Sequence, residues 1–160
     1  MSVATAKAAL KQVLAGITSA GPLVKIYDNP KEATSIAEFP CVILALAPGV
    51  PHTISQETAG SFGLLRHDYM LRCYLFVGQR QSSINELTAR CEPWPEAIGV
   101  ALADNLTLNG AVDHIGDLDD RLATYIEGPI AWGLTPNEPA FYGLKIDLPV
   151  TELISAPMEP

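Results

Sequence analysis

Fourteen consecutive residues, LLRHDYMLRCYLFV (residues 64–77), alternate between apolar and polar side chains over most of their length. Successive side chains of a strand point to opposite faces of a sheet, so this spacing predicts one long strand. Its apolar face carries Leu65, Tyr69, Leu71, Cys73, Leu75 and Val77. The other face is more polar, because it carries Arg66, Asp68 and Arg72. The chain is therefore expected to fold around a sheet.

Further strands are predicted on both sides of this one in the sequence. FPCVILAL (residues 39–46) is apolar on both faces, as expected of a central strand that is covered on both sides. Residues 24–27 and the short segments RLATYIEG and PIAWG also have strand-forming composition. FYGLKIDLPVTEL closes the chain with a half-buried strand. Its Pro149 cannot donate to a ladder, so this strand is expected at an edge of the sheet or bulged near its end.

Helical periodicity occurs in two places. Apolar residues at helical spacing predict an amphipathic helix over residues 5–20 and a second helical segment over residues 82–108. Ser83 and Glu86 have the spacing of a capping box at the start of the second segment. Pro93 and a further proline two residues later each remove an amide donor, so a kink or two consecutive helices are expected there.

The order of these elements predicts an α+β fold. We expect a single mixed or antiparallel sheet of about five strands, with the two helical segments packed on one face. Residues 1–154 form one domain in this interpretation, and residues 155–160 form a flexible C-terminal tail. Residues 47–63, which are rich in Gly, Pro, Ser and Thr, are expected to be a long mobile loop or a flexible hairpin tip.

Charge and cysteine content reduce the number of possible function classes. The net charge of -8 argues against a surface that binds nucleic acid by neutralising phosphates, and against binding to anionic membranes. No stretch approaches the roughly 20 apolar residues that a membrane span requires, and the N-terminus lacks the pattern of a signal peptide. Cys41, Cys73 and Cys91 include no C-x-x-C pair, which indicates buried reduced thiols and folding in a reducing cytosol.

One acidic segment could hold a site. AVDHIGDLDDR (residues 111–121) contains four aspartates and one histidine, which is compatible with a metal site, an acid/base site or a solvated turn. Its spacing matches neither a calcium loop nor a zinc pattern. Asp119 and Asp120 are adjacent and would point apart on a strand. A solvated acidic turn is the default interpretation.

Catalytic patterns are missing from the sequence. His67 stands beside Asp68, so on a strand the two side chains point to opposite faces and cannot act as a pair. The sequence contains no nucleophile elbow and no phosphate-binding glycine loop. We therefore predict no catalytic residues, no cofactor and no metal ligands.

The whole pattern resembles the tail terminator and neck-completion proteins of tailed bacteriophages. The likeness is carried by a helix before a short strand and the YDNP turn, by FPCVILAL with a long polar loop behind it, by RHDYMLRCYLFV before a helix, and by the closing FYGLKIDLPVTEL. It rests on the order of the elements and covers nearly all 160 residues. The resemblance implies a structural virion protein of the tail or neck, assembled in the host cytoplasm, with no catalytic residues. Such proteins form a homo-oligomeric ring, usually a hexamer, that caps the tail tube protein and joins it to the head connector or stopper protein.

Three sets of residues follow as hypotheses. A channel through which DNA passes without specific binding would be lined or approached by Asp113, Asp117, Asp119 and Asp120, because carboxylates repel phosphate; an acidic outer turn is the open alternative. The docking loop would carry Val50, His52, Ser55, Glu57 and Gly60. The subunit-interface strand would carry Lys145, Asp147 and Thr151, because an exposed edge can pair with a neighbouring chain. The alternatives are a head-completion or stopper protein, a tail tube subunit, or a small enzyme or metal-binding domain that uses residues 113–120.

Overall fold

The computed structural model describes residues 2–28, 36–56, 64–79, 82–116, 124–132 and 141–155. The helices are α1 (Val3–Ala15), α2 (Ile84–Cys91) and α3 (Trp94–Ala103). The strands are β1 (Lys25–Tyr27), β2 (Cys41–Leu46), β3 (Thr53–Gln56), β4 (Leu64–Gln79), β5 (His114–Ile115), β6 (Tyr125–Trp132) and β7 (Phe141–Ser155). β7 thus includes the first residue of the predicted tail, and residues 156–160 lie outside the described residues.

The strands form one mixed sheet, and the predicted α+β class is confirmed. The order is β1-β2-β4-β7-β5, with β3 also pairing with β4 and β6 also pairing with β7. β1 and β2 are parallel, whereas the other described pairs are antiparallel. The sheet has seven strands rather than about five. β3 and β5 account for the difference, because they lie in segments that were expected to be a loop and an acidic turn.

The two longest strands form the centre of the sheet. β4 and β7 pair from one end to the other, and β5 and β6 pair with the opposite side of β7. The prediction that the last strand lies at an edge or is bulged near its end is therefore wrong in its first alternative, and the pairing with β4 continues past Pro149 without a register shift. Pro149 is tolerated because β6 pairs only up to Asp147 and β5 starts at Val150, which leaves a gap beside the proline. Lys145 and Thr151 consequently lie where β7 is paired with a strand on each side.

All three helices pack on one face of the sheet, as predicted. Apolar side chains of α1, α2 and α3 share one buried cluster with the inward-facing side chains of β2, β4 and β7. Trp94, at the start of α3, is 2% exposed and is the largest fully buried side chain. α1 is shorter than predicted: it begins at the Ser2 cap, whose side chain accepts the Thr5 N–H, and ends before Gly16.

The predicted break in the second helical segment is confirmed. α2 ends at Cys91 and α3 begins at Trp94, with Pro93 between them. Proline lacks the N–H that the preceding helix would need, and it fits well at the start of a new one. The capping box does not form, because the Ser83 side chain makes no capping bond. Glu86 instead accepts a 2.6 Å bond from Arg90, one turn further along α2.

The opposite face of the sheet, which we call the open face, carries only a small apolar cluster in the described residues. This cluster joins Cys41 and Ile43 of β2 to Phe76 of β4 and Phe141 of β7. The neighbouring residues of β2 point into the helix-side core, so this strand is buried on both faces, as predicted. Beyond the small cluster, β4 and β7 present mainly polar and charged side chains on the open face.

The three cysteines are expected to be inert in the native protein. Burial raises the pKa of Cys41 and of Cys73 to about 12 and that of Cys91 to about 11, and the thiolate is the reactive form. Native protein at pH 8 should therefore not react with iodoacetamide, whereas protein in urea should take up three labels per chain, as intact mass would show. Because the folded pKa values are raised, these thiols should also make the free energy of unfolding fall as the pH rises above 9. Fast labelling of native protein would contradict this account.

Candidate interaction site at the distal end of the sheet

Three segments that the sequence singles out separately meet at one end of the sheet. We define this distal end as residues 52–56, residues 64–69, residues 113–115 and residues 150–155. β3, from the predicted docking loop, pairs with residues 65–68 of β4, and the same part of β4 pairs with the end of β7. β5, which opens the acidic segment, pairs with β7 at residues 150–151. The fold therefore brings together segments that lie far apart in the sequence.

On the helix side, the distal end carries four stacked or hydrogen-bonded polar side chains. His52 Nδ1 lies 3.1 Å from His67 Nε2, and the two rings stack with centroids 5.3 Å apart. Tyr69 lies two residues along the same face of β4, with ring centroids 5.9 Å from His52 and 4.8 Å from His67. Glu152 of β7 is the register partner of His67, so it shares this face.

Glu152 is the one charged residue that is fully buried within the described part of the chain, at 1% exposure. Its carboxylate accepts a 2.9 Å bond from the Tyr69 hydroxyl. Burial raises the pKa of Tyr69 well above its usual range, and the bond to Glu152 raises it further. A buried carboxylate needs such a donor, because desolvating an unpaired charge is costly. The pair therefore ties β4 to β7 beneath the histidines.

On the open face, the distal end is a charged network centred on Asp68. Arg66 donates two bonds to this carboxylate, at 2.8 and 3.1 Å. The Thr151 hydroxyl donates a third at 2.6 Å, and Thr53 of β3 is the register partner of Asp68. The charges of this network are balanced, and both carboxylate oxygens have donors.

Exposed apolar side chains surround these polar groups. Ile54 of β3 is 65% exposed, and Leu153 and Ile154 near the end of β7 are 38% and 39% exposed. Large apolar side chains that are grouped and left in water often mark an interaction surface. At this end of the sheet they border both faces.

The predicted acidic residues are only partly placed. Asp113 is exposed, and its carboxylate accepts a 2.6 Å bond from the Leu153 backbone N–H, so it binds the end of β7. Asp117, Asp119 and Asp120 lie outside the described residues. The acidic segment thus begins at the distal end.

The predicted docking loop is partly a strand. Val50 is half-buried, His52 contacts His67, and Ser55 is an exposed residue of β3. Glu57 and Gly60 lie outside the described residues.

The predicted interface residues of β7 make internal contacts on the open face. Lys145 binds Glu127 of β6 at 2.8 Å. Asp147 accepts bonds of 2.7 and 3.1 Å from Arg72, and Thr151 binds Asp68. These side chains hold neighbouring strands of the same chain together.

Sequence reasoning missed Tyr69 and Glu152 as partners. A signal was present, because Glu152 continues the apolar face of β7 after Leu148 and Val150, where a charged residue needs an explanation. No group of three or more metal-ligating side chains occurs in the residues that the structure describes. The Tyr69–Glu152 bond joins β4 to β7, and the His52–His67 contact joins the start of β3 to β4. The described thiols are buried and, having raised pKa values, are poor nucleophiles.

No protein-family model matches the chain, and no curated protein matches it. Among the described residues, no helix has the length and apolar character needed to cross a membrane.

Proposed function

We propose that this chain is a structural virion subunit of the tail-terminator type, which forms a homo-oligomeric ring between the tail tube and the head connector. The distal end of the sheet is its docking surface for a neighbouring protein. The observation that carries this proposal is the convergence of β3, the start of the acidic segment and the end of β7 at one exposed end of the fold.

The charge distribution supports a channel that lets DNA pass. On the open face, three cations each bind a carboxylate: Arg66 with Asp68, Arg72 with Asp147, and Lys145 with Glu127. A duplex is held by free cations that release counterions from its phosphates. Paired cations on a chain of net charge -8 offer little such binding. Asp113 and the aspartates that follow it would line or approach the channel in the ring.

A ring needs two different surfaces on each subunit, because its contacts run head to tail. Lys145, Asp147 and Thr151 lie where β7 is paired on both sides, so we assign the subunit-interface strand to β6. Tyr125 and Ile130 of β6 are 64% and 41% exposed, and β6 pairs with β7 on its inner side. A register shift between Glu127 and Ile130, together with Pro129, interrupts the strand and limits uncontrolled edge pairing.

The native mass of the purified chain, followed by electron microscopy of what assembles, tests this function. A terminator should give closed single rings that bind one end of purified tail tubes. Long tubes of the chain alone would identify a tube subunit instead. A chain that stays monomeric at high concentration and does not bind tube ends would refute the proposal.

Replacing Ile54 by lysine tests the docking surface within the same assay. This side chain is 65% exposed, so a lysine should leave folding intact, as circular dichroism would show. Tube-end binding should fall at least about tenfold, because a charge in an apolar contact must be desolvated. Val100→Lys on α3, at a site that is 57% exposed, is the matched control. Equal binding by both variants would remove the distal end from the interface.

A further inference from the structure

We propose that His52 and His67 form a protonation-controlled latch that holds the β3 segment on the sheet at neutral pH and releases it in acid. The latch is a property of the isolated chain and goes beyond the proposed function. The proposal rests on the direct contact between two imidazole rings on neighbouring segments.

The contact lies where β3 has little else to hold it. β3 has four residues, all paired with β4, and its Ile54 is 65% exposed. His52 immediately precedes β3, and its ring lies against both His67 and Tyr69. Short exposed edge strands are among the first parts of a protein to open. The histidine contact therefore adds a side-chain contact to the four backbone pairs that hold this segment on β4.

Counting protons on the two facing nitrogens gives the direction of the switch. A neutral imidazole has one N–H donor and one acceptor nitrogen, whereas a charged imidazolium has two donors. The bond of 3.1 Å between His52 Nδ1 and His67 Nε2 needs one of these nitrogens to be free of a proton. When both rings are charged, two N–H groups and two positive charges face each other. The released segment can thus bind one proton more than the latched one, so acid favours release.

The surrounding groups tolerate one positive charge better than two. From β4, Tyr69 presents an aromatic ring. From β7, Glu152 presents a buried carboxylate that accepts the Tyr69 hydroxyl. From β3, the register partner of His67 is the uncharged Ile54. Asp68 lies on the opposite face, and Asp113 binds the backbone of β7 at Leu153. One carboxylate on this face can balance one imidazolium.

Release would uncover the backbone edge of β4 at residues 65–68 and the parts of the His67 and Tyr69 rings that His52 covers. The segment that leaves is the one predicted to dock, so acid would change the docking surface without unfolding the core.

Hydrogen exchange of the full chain tests the latch. Mass spectrometry follows the exchange from pH 5 to 8, and the rates are corrected for the intrinsic pH dependence of exchange. Amides of residues 53–56 should lose at least about tenfold in protection towards acid, while amides of residues 71–76 in β4 stay protected. His52→Asn and His67→Gln keep a nitrogen near the position of the lost ring nitrogen and can donate or accept. Each should make the protection of residues 53–56 independent of pH.

Glu96→Gln is the matched control, because it removes a titratable side chain at an exposed position of α3, away from the distal end, and should keep the wild-type profile. Three results would overturn the latch: protection of residues 53–56 that is already independent of pH in the wild type, an unchanged acid loss in His52→Asn and His67→Gln, or simultaneous loss in residues 71–76. Loss of protection on adding EDTA at neutral pH would also overturn it, because the pair would then hold a metal ion rather than share a proton.

Discussion

Gly143→Ala is expected to prevent the chain from folding. A Cβ atom at this position of β7 would overlap the carbonyl oxygen of Leu75 and lie 2.9 Å from the Cα of Phe76. Both are backbone atoms of β4, so no side-chain rotation can make room. β4 and β7 pair from end to end apart from a register shift between Phe76 and Gly78, beside Gly143, and moving them apart would break the central ladder of the sheet. The variant should be insoluble on expression or lack a cooperative urea transition.

Gly99→Ala is the control for this prediction. Gly99 lies within α3, and a Cβ added there would meet nothing within 4 Å. Alanine forms helix better than glycine by up to about 1 kcal/mol, so this variant should be as stable as the wild type or more stable. The two variants add the same methyl group and differ in its surroundings. Wild-type stability of Gly143→Ala would mean that β4 and β7 are not packed as described.

The long elements were predictable from the sequence because their periodicity is sustained. β4 alternates over many residues, β2 is apolar on both faces, and Pro93 divides the second helical segment. Each of these signals is local and repeats several times. The α+β class and the packing of the helices on one face follow from the same signals.

The short strands were not predictable by the same means. β3 has four residues and β5 has two, which is too short for an alternating pattern to stand out from chance. Their partners fix them, and pairing register is a non-local property. The edge position inferred from Pro149 failed for a related reason. A proline requires one unpaired position, and the gap between β5 and β6 supplies it inside the sheet.

The candidate site was predictable in its parts and not in its assembly. Sequence patterns singled out His52, Asp113 and Thr151. No local sequence pattern predicts that β3 pairs with residues 65–68 or that Asp113 binds Leu153. The bond between Tyr69 and Glu152 joins residues 83 positions apart. Convergence of this kind depends on the order of strands in the sheet, which a single sequence leaves open.

Asp147→Ala is expected to cost about 3 kcal/mol of the free energy of unfolding. Its carboxylate accepts two bonds from Arg72, and both side chains are only 15% exposed. The bond to Asp147 is also the main reason why the pKa of Arg72 is raised above its usual range. Removing the carboxylate leaves a guanidinium largely out of water with no anion beside it. Urea unfolding at neutral pH measures the loss.

The exposed pair of α2 supplies the control for this loss. Arg90 and Glu86 are 50% and 59% exposed, so Glu86→Ala should change stability by no more than about 0.5 kcal/mol. An equal loss of unfolding free energy in both variants would show that burial of the Arg72–Asp147 pair does not increase its contribution to stability.

The double variant Arg72→Met with Asp147→Leu separates two roles of the ion pair: stabilising the fold and keeping the open face polar. Buried ion pairs can often be replaced by apolar residues of similar volume with little loss of stability, because two desolvation costs disappear together. This variant should therefore regain most of the stability that Asp147→Ala loses.

The double variant would also place two apolar side chains on the open face between Tyr125 of β6 and Ala45 of β2. If the pair serves to keep a channel surface polar and neutral, the double variant should fold normally but assemble aberrantly or aggregate, as native mass would report. Normal assembly together with normal stability would mean that neither folding nor the surface requires these two charges.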